Sequence, residues 1–476
     1  MGLSDRIKSN GNGSTAAVEH PGQPALGEQI VEHRAAADPY AELKTQVHHA
    51  CIAKLGPQLF TTQSDEELSE RVLRAVTEQL ALDRTPLTRE ERRQVTREIT
   101  DDILGYGPLE PFLRDDSVSE VMVNGPDSIY IERMGKIERT GAAFVDDAHL
   151  MRIIDKIVSS VGRRVDESSP MVDARLPDGS RVNAIIPPLA LRGPTLTIRK
   201  FSRDPYTMDD LINFGSISPK AAQFLAACVN GKLNILISGG TGTGKTTTLN
   251  AMSAYISNAE RILTIEDAAE LQLQQQHVIT LEARPPNIEG EGEVRIRELV
   301  RNSLRMRPDR IIVGEVRGPE TLDMLQAMNT GHEGSLTTIH ANSPRDALSR
   351  LETLVMTAGV ELPHRAIREQ IASAFDLLVQ ITRLVDGSRR ITHVSEVLGM
   401  ESDVITLQDV FVAKTPDEEQ ASSTGSRLLG PLECTGLKPH FLEKMATNGV
   451  LMPPHFFNED LVGYVGNTNA SYGSFE

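Results

Sequence analysis

The hydrophobic positions in the first quarter of the chain follow a helical period. Apolar residues at positions 68, 72, 73, 76 and 80 recur at intervals of three or four, which predicts an amphipathic helix. A second helix is predicted from near Thr88 to Ile103, ending at Gly105. We interpret 39–104 as a small helical module. Residues 1–38 are rich in small and polar residues and predict a disordered head, because they offer too little apolar surface to offset the entropy of ordering.

The pattern changes to a strand period after residue 104. Strands and hairpins with few helices between them predict an α+β domain over 105–203, followed by a linker over 204–216. The predicted elements are a strand over 118–123, a hairpin over 128–140 turning at Met134-Gly135, a helix over 147–163, a hairpin over 171–186 turning at 177–179, and a strand over 195–201.

Strands and helices alternate over 217–412, and this order predicts a mostly parallel sheet with helices on both faces. The predicted strands are 233–238, 261–266, 310–314 and 334–340, with helices over 293–306 and 319–329 and a closing hairpin over 377–397. Beyond Val412 the periodicity is lost, and 413–476 is predicted to be an acidic low-complexity tail. The predicted fold class is α/β, with this domain preceded by the α+β domain and the helical module.

Charge and composition limit the partners of the protein. The chain has 49 Lys and Arg against 66 Asp and Glu, and its formal net charge of −17 disfavours direct binding to nucleic acid or anionic lipid. The three cysteines are isolated in sequence, so neither a zinc site nor a redox motif is predicted. No apolar run reaches the roughly 20 residues of a membrane span, and no signal sequence is recognised. We expect a cytoplasmic protein that reaches any membrane through partners.

The most specific motif lies between the first predicted strand of the parallel sheet and a helix. Residues 239–246 match the phosphate-binding pattern G-x-x-x-x-G-K-[ST]. Its glycines let several backbone N–H groups converge on phosphates. We expect Lys245 to reach the β- and γ-phosphates of ATP and the Thr246 hydroxyl to hold Mg²⁺. The predicted nucleotide-binding residues are Gly239, Gly240, Thr241, Gly242, Thr243, Gly244, Lys245, Thr246 and Thr247.

Two carboxylates, Glu266 and Glu315, follow apolar strands, where the ligands of open parallel sheets bind. Hydrolysis needs a carboxylate that orients or deprotonates water and another that helps to fix Mg²⁺. Glu266 and Glu315, with Thr246, are therefore the candidate metal-site residues. A helix cap or a surface acid is the alternative for either carboxylate.

Histidines and arginines complete the candidate set. His332 and His340 lie at the two ends of a predicted strand and could sense the γ-phosphate or bridge subunits; ordinary core or surface positions are the alternative. Arginine can neutralise charge on a transferring phosphoryl group. Four arginines lie in or beside the last strands of the α+β domain, where some of them could simply be solvated: Arg175, Arg181, Arg192 and Arg199.

The order of these motifs resembles the secretion ATPase superfamily, the motors of type II secretion, type IV pili and conjugation-type secretion. The resemblance covers about residues 100–400, and 264–270, 306–317 and 330–343 look like the family's Asp box, Walker B and His box. Residues 173–183 and 197–201 look most like the Tad/Flp pilus assembly ATPases. The zinc-binding cysteine cluster of type II secretion ATPases has no counterpart in this sequence, whereas the conjugation-type branch stays open.

The resemblance implies a PAS-like α+β domain joined to a RecA-like ATPase domain, assembled as a ring, usually a hexamer, with ATP between the two domains. It implies that Glu315 positions or activates water, that Glu266 supports the metal and the water, and that His332 and His340 lie near the phosphates. The arginine-finger candidates are Arg181, Arg192 and Arg199. ATP-driven domain rotation would move an inner-membrane platform protein, to whose cytoplasmic side the ring attaches, and would add or remove pilin subunits.

Two other functions fit parts of the pattern. A nucleic-acid-translocating RecA-like motor is disfavoured by the acidic charge and by the lack of interleaved aromatic and basic residues. A nucleotide-gated scaffold that does not hydrolyse ATP would have no need of Glu266 and Glu315. The direction of the motor and the size of the ring do not follow from the sequence.

Overall fold

The computed structural model describes residues 40–55, 65–83, 85–133, 135–201, 205–286, 291–414, 430–453 and 455–458. Several predictions made from the sequence concern residues outside these ranges. They are the disordered head over 1–38, one residue of the hairpin turn (Met134), the start of the linker at Asp204, and much of the tail after residue 414.

Three helices form the first module: α1 (Ala41–Leu55), α2 (Asp65–Leu82) and α3 (Arg89–Leu104). Their shared core is apolar and comprises Leu43, Val47, Cys51, Val72, Ala75, Val76, Leu80, Val95 and Ile99. The start of α3 is fixed by a capping box, in which Thr88 accepts from the Glu91 N–H and Glu91 accepts from the Thr88 N–H. The predicted apolar stripe is wrong at Leu73, which is 48 % exposed because Val72 and Val76 carry the packing against the other helices.

A six-stranded antiparallel sheet follows. Its elements are α4 (Glu110–Arg114), β1 (Val118–Asn124), β2 (Ile129–Arg133), β3 (Lys136–Arg139), α5 (Asp147–Ser160), β4 (Met171–Arg175), β5 (Arg181–Ile185) and β6 (Thr195–Arg199). The strand order is β3-β2-β1-β6-β5-β4. Apolar residues of α5 pack against the alternate, buried residues of these strands. In the register of β5 and β6, Arg181 is directly opposite Arg199, so both arginines lie at one end of the sheet.

A nine-stranded sheet forms the largest layer. It is built from α6 (Met208–Asn213), α7 (Pro219–Asn230), β7 (Ile235–Gly239), α8 (Lys245–Ser253), β8 (Ile262–Glu266), β9 (Val278–Glu282), α9 (Ile296–Ser303), β10 (Arg310–Val313), α10 (Glu320–Asn329), β11 (Leu336–His340), α11 (Pro344–Met356), α12 (His364–Ala374), β12 (Leu377–Arg383), β13 (Arg389–Glu401), β14 (Val404–Ala413), β15 (Leu432–Cys434) and α13 (Leu442–Thr447).

The strand order of this sheet is β15-β14-β13-β12-β7-β11-β10-β8-β9. The six strands from β12 to β9 run parallel, and β13 to β15 add an antiparallel edge. Helices cover both faces of the parallel part, which explains why its central strands are continuous apolar runs. The predicted α/β fold class is confirmed.

The predicted acidic low-complexity tail over 413–476 contains regular elements in the part that the structure describes. Strand β15 adds to β14, and α13 packs on the core of the large sheet. Four aromatic rings of the C-terminal half, Phe411, Phe441, Phe456 and Phe457, surround Phe224 of α7 with ring centroids 5.3–6.2 Å away. Three of them lie beyond residue 412, so a few aromatic residues anchor a segment whose composition is otherwise polar.

None of the helices within the described ranges is long and apolar enough to cross a membrane.

Candidate active site

The glycine-rich loop joins β7, in the middle of the parallel sheet, to α8. Its glycines are required by geometry: a Cβ on Gly239 would lie 2.5 Å from the Ile381 carbonyl oxygen. Gly242 and Gly244 have φ angles of 68° and 95°, in a region that residues with a Cβ atom rarely adopt. Gly244 immediately precedes the first residue of α8, so the loop delivers the N-terminal end of this helix to the sheet edge.

Lys245 lies in the loop and is nearly buried. Its Nζ donates to the Gly240 carbonyl at 3.0 Å and lies 3.4 and 3.2 Å from the two ring nitrogens of His340. Burial lowers the pKa of Lys245 to about 8, although the nearby Glu315 carboxylate raises it. An amine in this environment is poorly solvated, and an anion in the loop would restore its full charge.

Glu315 is the centre of a polar network at the same edge. Its Oε1 lies 2.9 Å from Nε2 of His340, and its Oε2 accepts from Arg317 Nη2 at 2.7 Å. Arg317 also donates to Asp267 at 3.1 Å, so the network joins the segments that follow β8, β10 and β11. Burial lowers the pKa of His340, with Glu315 opposing that shift. His340 thus lies between the Lys245 amine and the Glu315 carboxylate and contacts both.

Glu266 has a different environment from Glu315. It is 4 % exposed, and its carboxylate accepts the backbone N–H groups of Glu270 at 2.9 Å and Leu271 at 3.2 Å. Burial raises its pKa to about 7, despite these N–H donors. A Cβ on Gly314 would lie 2.7 Å from Glu266 Cγ, so a glycine is required there. Glu266 therefore fixes the shape of the loop over 267–271.

Three arginines of the six-stranded sheet contact that loop. Arg175 and Arg181 each donate to a backbone carbonyl at 2.9 Å, that of Ala269 and Ala268 respectively. The Glu270 carboxylate lies 3.4 Å from Arg181 Nη1 and 3.7 Å from Arg199 Nη1. Arg175 also pairs with Glu282 on β9. The loop after β8 is thus the surface on which the first sheet meets the second.

A cleft of about 160 Å³ lies between the two sheets at this point. It is lined by Arg181, Arg199 and Glu270 on one side and by Thr246 and Thr247 of α8 on the other. The Arg181 Nε is buried and has no hydrogen-bond partner among the described residues. The cleft therefore brings guanidinium donors close to the first turn of the P-loop helix.

Two of the predicted site residues are not brought to this edge. His332 precedes β11 and bonds to the Ala327 carbonyl at 3.1 Å, whereas His340 ends β11 beside Gly239. The length of β11 separates the two histidines. The expected position of His332 beside the phosphates bound by the same chain is therefore wrong. Arg192 is exposed in the loop from β5 to β6, at the opposite end of these strands from Arg181 and Arg199.

The sequence reasoning missed Arg317 and Glu270. Both were visible in the motifs: Arg317 follows Glu315 by two residues, and Glu270 ends the acidic segment that starts at Glu266. Neither position could be assigned a partner from spacing, because Arg317 contacts Asp267 from another strand end and Glu270 contacts arginines of another sheet. The described residues contain no group of three or more His, Cys, Asp and Glu suited to holding a metal ion.

A parallel sheet with a P-loop after its central strand, and with a carboxylate beside the loop lysine, defines a P-loop ATPase. A sequence model of the family described as "Type II/IV secretion system protein" matches residues 102–427, more than half of the chain. The chain therefore belongs to the type II/IV secretion system protein family, and the predicted membership of the secretion ATPase superfamily is confirmed. It is a secretion ATPase.

The similarity to individual relatives extends over most of the length of each relative. A Mycobacterium tuberculosis protein whose name assigns it to conjugal transfer is 39 % identical over 305 residues, which are 63 % of this chain and 86 % of that protein. The conjugal transfer protein TrbB of Rhizobium radiobacter is 34 % identical over 296 residues, covering 61 % and 87 %. The VirB11 ATPase of the Brucella suis type IV secretion system, solved with sulphate, is 29 % identical, with 61 % and 95 % covered and a TM-score of 0.34.

Proposed function

We propose that this ATPase is a cytoplasmic ring motor, hexameric in its working form, that drives a Tad/Flp-type pilus or a closely related secretion machine. The observation that carries the proposal is the meeting of two sheets at one edge. The P-loop and Glu315 come from the large sheet, and Arg181 and Arg199 come from the small one. A site divided in this way changes with the relative position of the two sheets, which couples ATP hydrolysis to domain motion.

The residues present fit a bound Mg²⁺–ATP. The loop offers glycines that admit a phosphate chain, a helix N-terminus and the partly desolvated amine of Lys245. The buried, unpartnered Arg181 Nε has capacity for an anionic oxygen. The Thr246 hydroxyl would hold Mg²⁺ together with phosphate oxygens and waters. When bound, Mg²⁺ would neutralise charge on the β- and γ-phosphates.

Glu315 is the proposed acceptor of the proton of the attacking water. His340 and Arg317 hold its two carboxylate oxygens at 2.9 and 2.7 Å, so the carboxylate is fixed in position. His340 also contacts Lys245 and thereby links the lysine to the carboxylate. Arg181 and Arg199 are the proposed arginine fingers, released from Glu270 when they bind phosphate oxygens. Glu266 positions the loop that carries Glu270 rather than touching the water.

The cleft has room for a few water molecules, whereas small-molecule sites typically occupy 300–1,000 Å³. We propose that the two sheets separate when nucleotide enters, and that closure after entry brings Arg181 and Arg199 onto the phosphates. We infer that this opening and closing is the mechanical stroke, transmitted around the ring to an inner-membrane platform protein.

The conjugation-type secretion ATPases are the second candidate. The names of the Mycobacterium tuberculosis and Rhizobium radiobacter relatives refer to conjugal transfer and favour this branch. The two candidates differ in cargo. A chromosomal Glu315→Gln change in the source organism is expected to abolish pilin on the cell surface and to leave conjugative DNA transfer intact. Loss of DNA transfer with normal surface pilin would assign the motor to conjugation instead.

Steady-state ATPase activity tests the motor itself, with wild-type protein compared with Lys245→Ala and with mass measured by light scattering. We expect Mg²⁺-dependent turnover from a particle of several protomers, reduced at least about 100-fold in the variant, because the amine contacts the phosphates. ATP binding without turnover in wild-type protein of oligomeric mass would instead support the nucleotide-gated scaffold.

A further inference from the structure

A basic groove lies on the helical module between α2 and α3. Its volume is about 570 Å³, and its lining includes Arg89, Arg92, Arg93, Arg97, Leu73 and Thr77. We refer to it as the α2–α3 groove. The family match begins at residue 102, so the whole groove lies in a part of the chain outside that match. Its position on α2 and α3 also separates it from the P-loop.

The arginines lie on one side of α3. Arg89, Arg93 and Arg97 follow one another at intervals of four residues, so they recur on successive turns of the helix. The other side of α3 is anchored in the core by Val95 and Ile99, which are 1 % and 2 % exposed. Because α3 packs through its opposite side, the row of guanidinium groups lies on the surface of the module.

Most of these guanidinium groups have no counter-charge among the residues that the structure describes. Within the part of the chain that the structure describes, no hydrogen-bond or ion-pair partner is found for the guanidinium groups of Arg89, Arg92 and Arg97. Arg93 has one ion pair, with Glu90 at 3.6 Å, and exposure of both side chains makes it weak. The acid at the end of the groove, Asp101, is already paired with Arg114 at 2.8 Å.

The remaining lining is close to apolar. The hydroxyls of Thr77, Thr96 and Thr100 each donate to the carbonyl four residues earlier at 2.7 Å, so they are already satisfied. Leu73 is 48 % exposed and provides a large apolar contact. The groove thus combines several unpaired cations with one apolar anchor.

We propose that the α2–α3 groove binds an acidic peptide segment of a partner protein. Guanidinium groups bind carboxylates through paired N–H donors, and a helical segment with Glu at every fourth position would match the spacing of Arg89, Arg93 and Arg97. An apolar side chain of the same segment would cover Leu73. Among the described residues that line the groove there is no aromatic ring on which bases could stack, which disfavours single-stranded nucleic acid as the occupant.

The test is fluorescence anisotropy with the full-length protein and a labelled 16-residue helical peptide carrying Glu at every fourth position and Leu between. The control peptide has Gln in place of each Glu. The Arg89→Gln/Arg93→Gln/Arg97→Gln variant is matched by Arg139→Gln/Arg164→Gln/Arg305→Gln, which removes the same charge from exposed positions elsewhere. We expect binding of the Glu peptide only, weakened about tenfold in the groove variant and unchanged in the control variant. ATPase rates should be equal in all three proteins.

Four results would overturn the proposal. They are no binding of the Glu peptide to wild-type protein, equal binding of the Gln peptide, equal weakening in both triple variants, or no weakening in the groove variant. Vesicles containing anionic phosphatidylglycerol and a single-stranded DNA are tested in parallel. If either one binds through these arginines while the Glu peptide does not, the groove recognises lipid or nucleic acid instead. If the groove variant does not fold, the single Arg97→Gln variant replaces it, with a smaller loss expected.

Discussion

The loops after β8 and β10 look alike in sequence and differ in the structure. In each case a glutamate lies at or just beyond the end of a buried parallel strand: Glu266 is the last residue of β8, and Glu315 follows the end of β10 by two residues. Glu315 keeps its carboxylate at the edge of the P-loop, between His340 and Arg317. Glu266 turns its carboxylate into its own loop, where backbone N–H groups bind it. The same sequence pattern therefore gives two arrangements, a carboxylate held at the P-loop edge after β10 and a carboxylate that shapes its own loop at the end of β8. We propose that only the first activates water.

The difference follows from the residues that surround the C-terminal end of each strand. The segment after β10 lies beside the lysine of the P-loop, and the Glu315 carboxylate is held there by His340 and Arg317. The loop after β8 meets the arginines of the small sheet with its carbonyl groups and with Glu270, so Glu266 is left to organise the loop from inside. We therefore expect Glu266 to affect catalysis only through the arginines that the loop holds.

The largest expected effect is that of Glu315→Gln. The amide keeps the shape of the side chain but cannot accept the proton of water, so we predict a fall in kcat of at least about 100-fold with ATP binding retained. Steady-state kinetics and equilibrium binding of a fluorescent ATP analogue check this. Near-normal turnover would remove Glu315 from the mechanism and would erase the proposed contrast with Glu266.

The next largest effect is expected from the arginines that reach the cleft. Arg181→Ala and Arg199→Ala should each lower kcat at least about tenfold while the oligomeric mass is unchanged, because each removes a positive charge from the phosphate side of the cleft. Arg192→Ala is the matched control, since Arg192 lies at the other end of the same strands. If all three variants keep wild-type rates, these arginines have no part in hydrolysis and are surface residues at the strand ends. Equal losses in all three would indicate that Arg192 acts from a neighbouring protomer.

Glu266→Gln should have a smaller effect on rate and a distinctive effect on stability. The folded-state pKa of Glu266 is about 7, above the ordinary value of 4.5. Between these values the folded protein holds a proton that the unfolded chain has lost, so the free energy of unfolding falls as pH rises from about 4.5 to 7, by up to about 3 kcal/mol. The variant lacks this titration, and its stability should depend less on pH. Thermal unfolding of both proteins across that range checks the prediction; parallel pH profiles would contradict it.

Much of the candidate site was predictable because its residues lie in short local sequence motifs. The P-loop, Glu315 and His340 could be named from strand ends and spacing, and the parallel sheet follows from alternating elements. The roles of Glu270 and Arg317 depend on contacts between segments far apart in the chain, which spacing does not encode.

Other elements were missed for local reasons. Strand β9 is half-exposed and lies at the sheet edge, so its apolar signal is weak. The segment around α13 is anchored by a few aromatic residues that pack on Phe224, and composition alone hides such anchors. His332 was misplaced because a histidine at each end of a strand gives no indication of which end faces the ligand.

The most direct test of the division between the two carboxylates is the nucleotide found on each variant after incubation with Mg²⁺ and ATP. Wild-type protein, Glu315→Gln and Glu266→Gln are each passed over a desalting column and denatured, and the released nucleotides are quantified. The account predicts mostly ATP on Glu315→Gln, which binds without cleaving, and mostly ADP on Glu266→Gln, which still cleaves. Intact ATP on Glu266→Gln with ADP on Glu315→Gln would exchange the two roles and contradict the account.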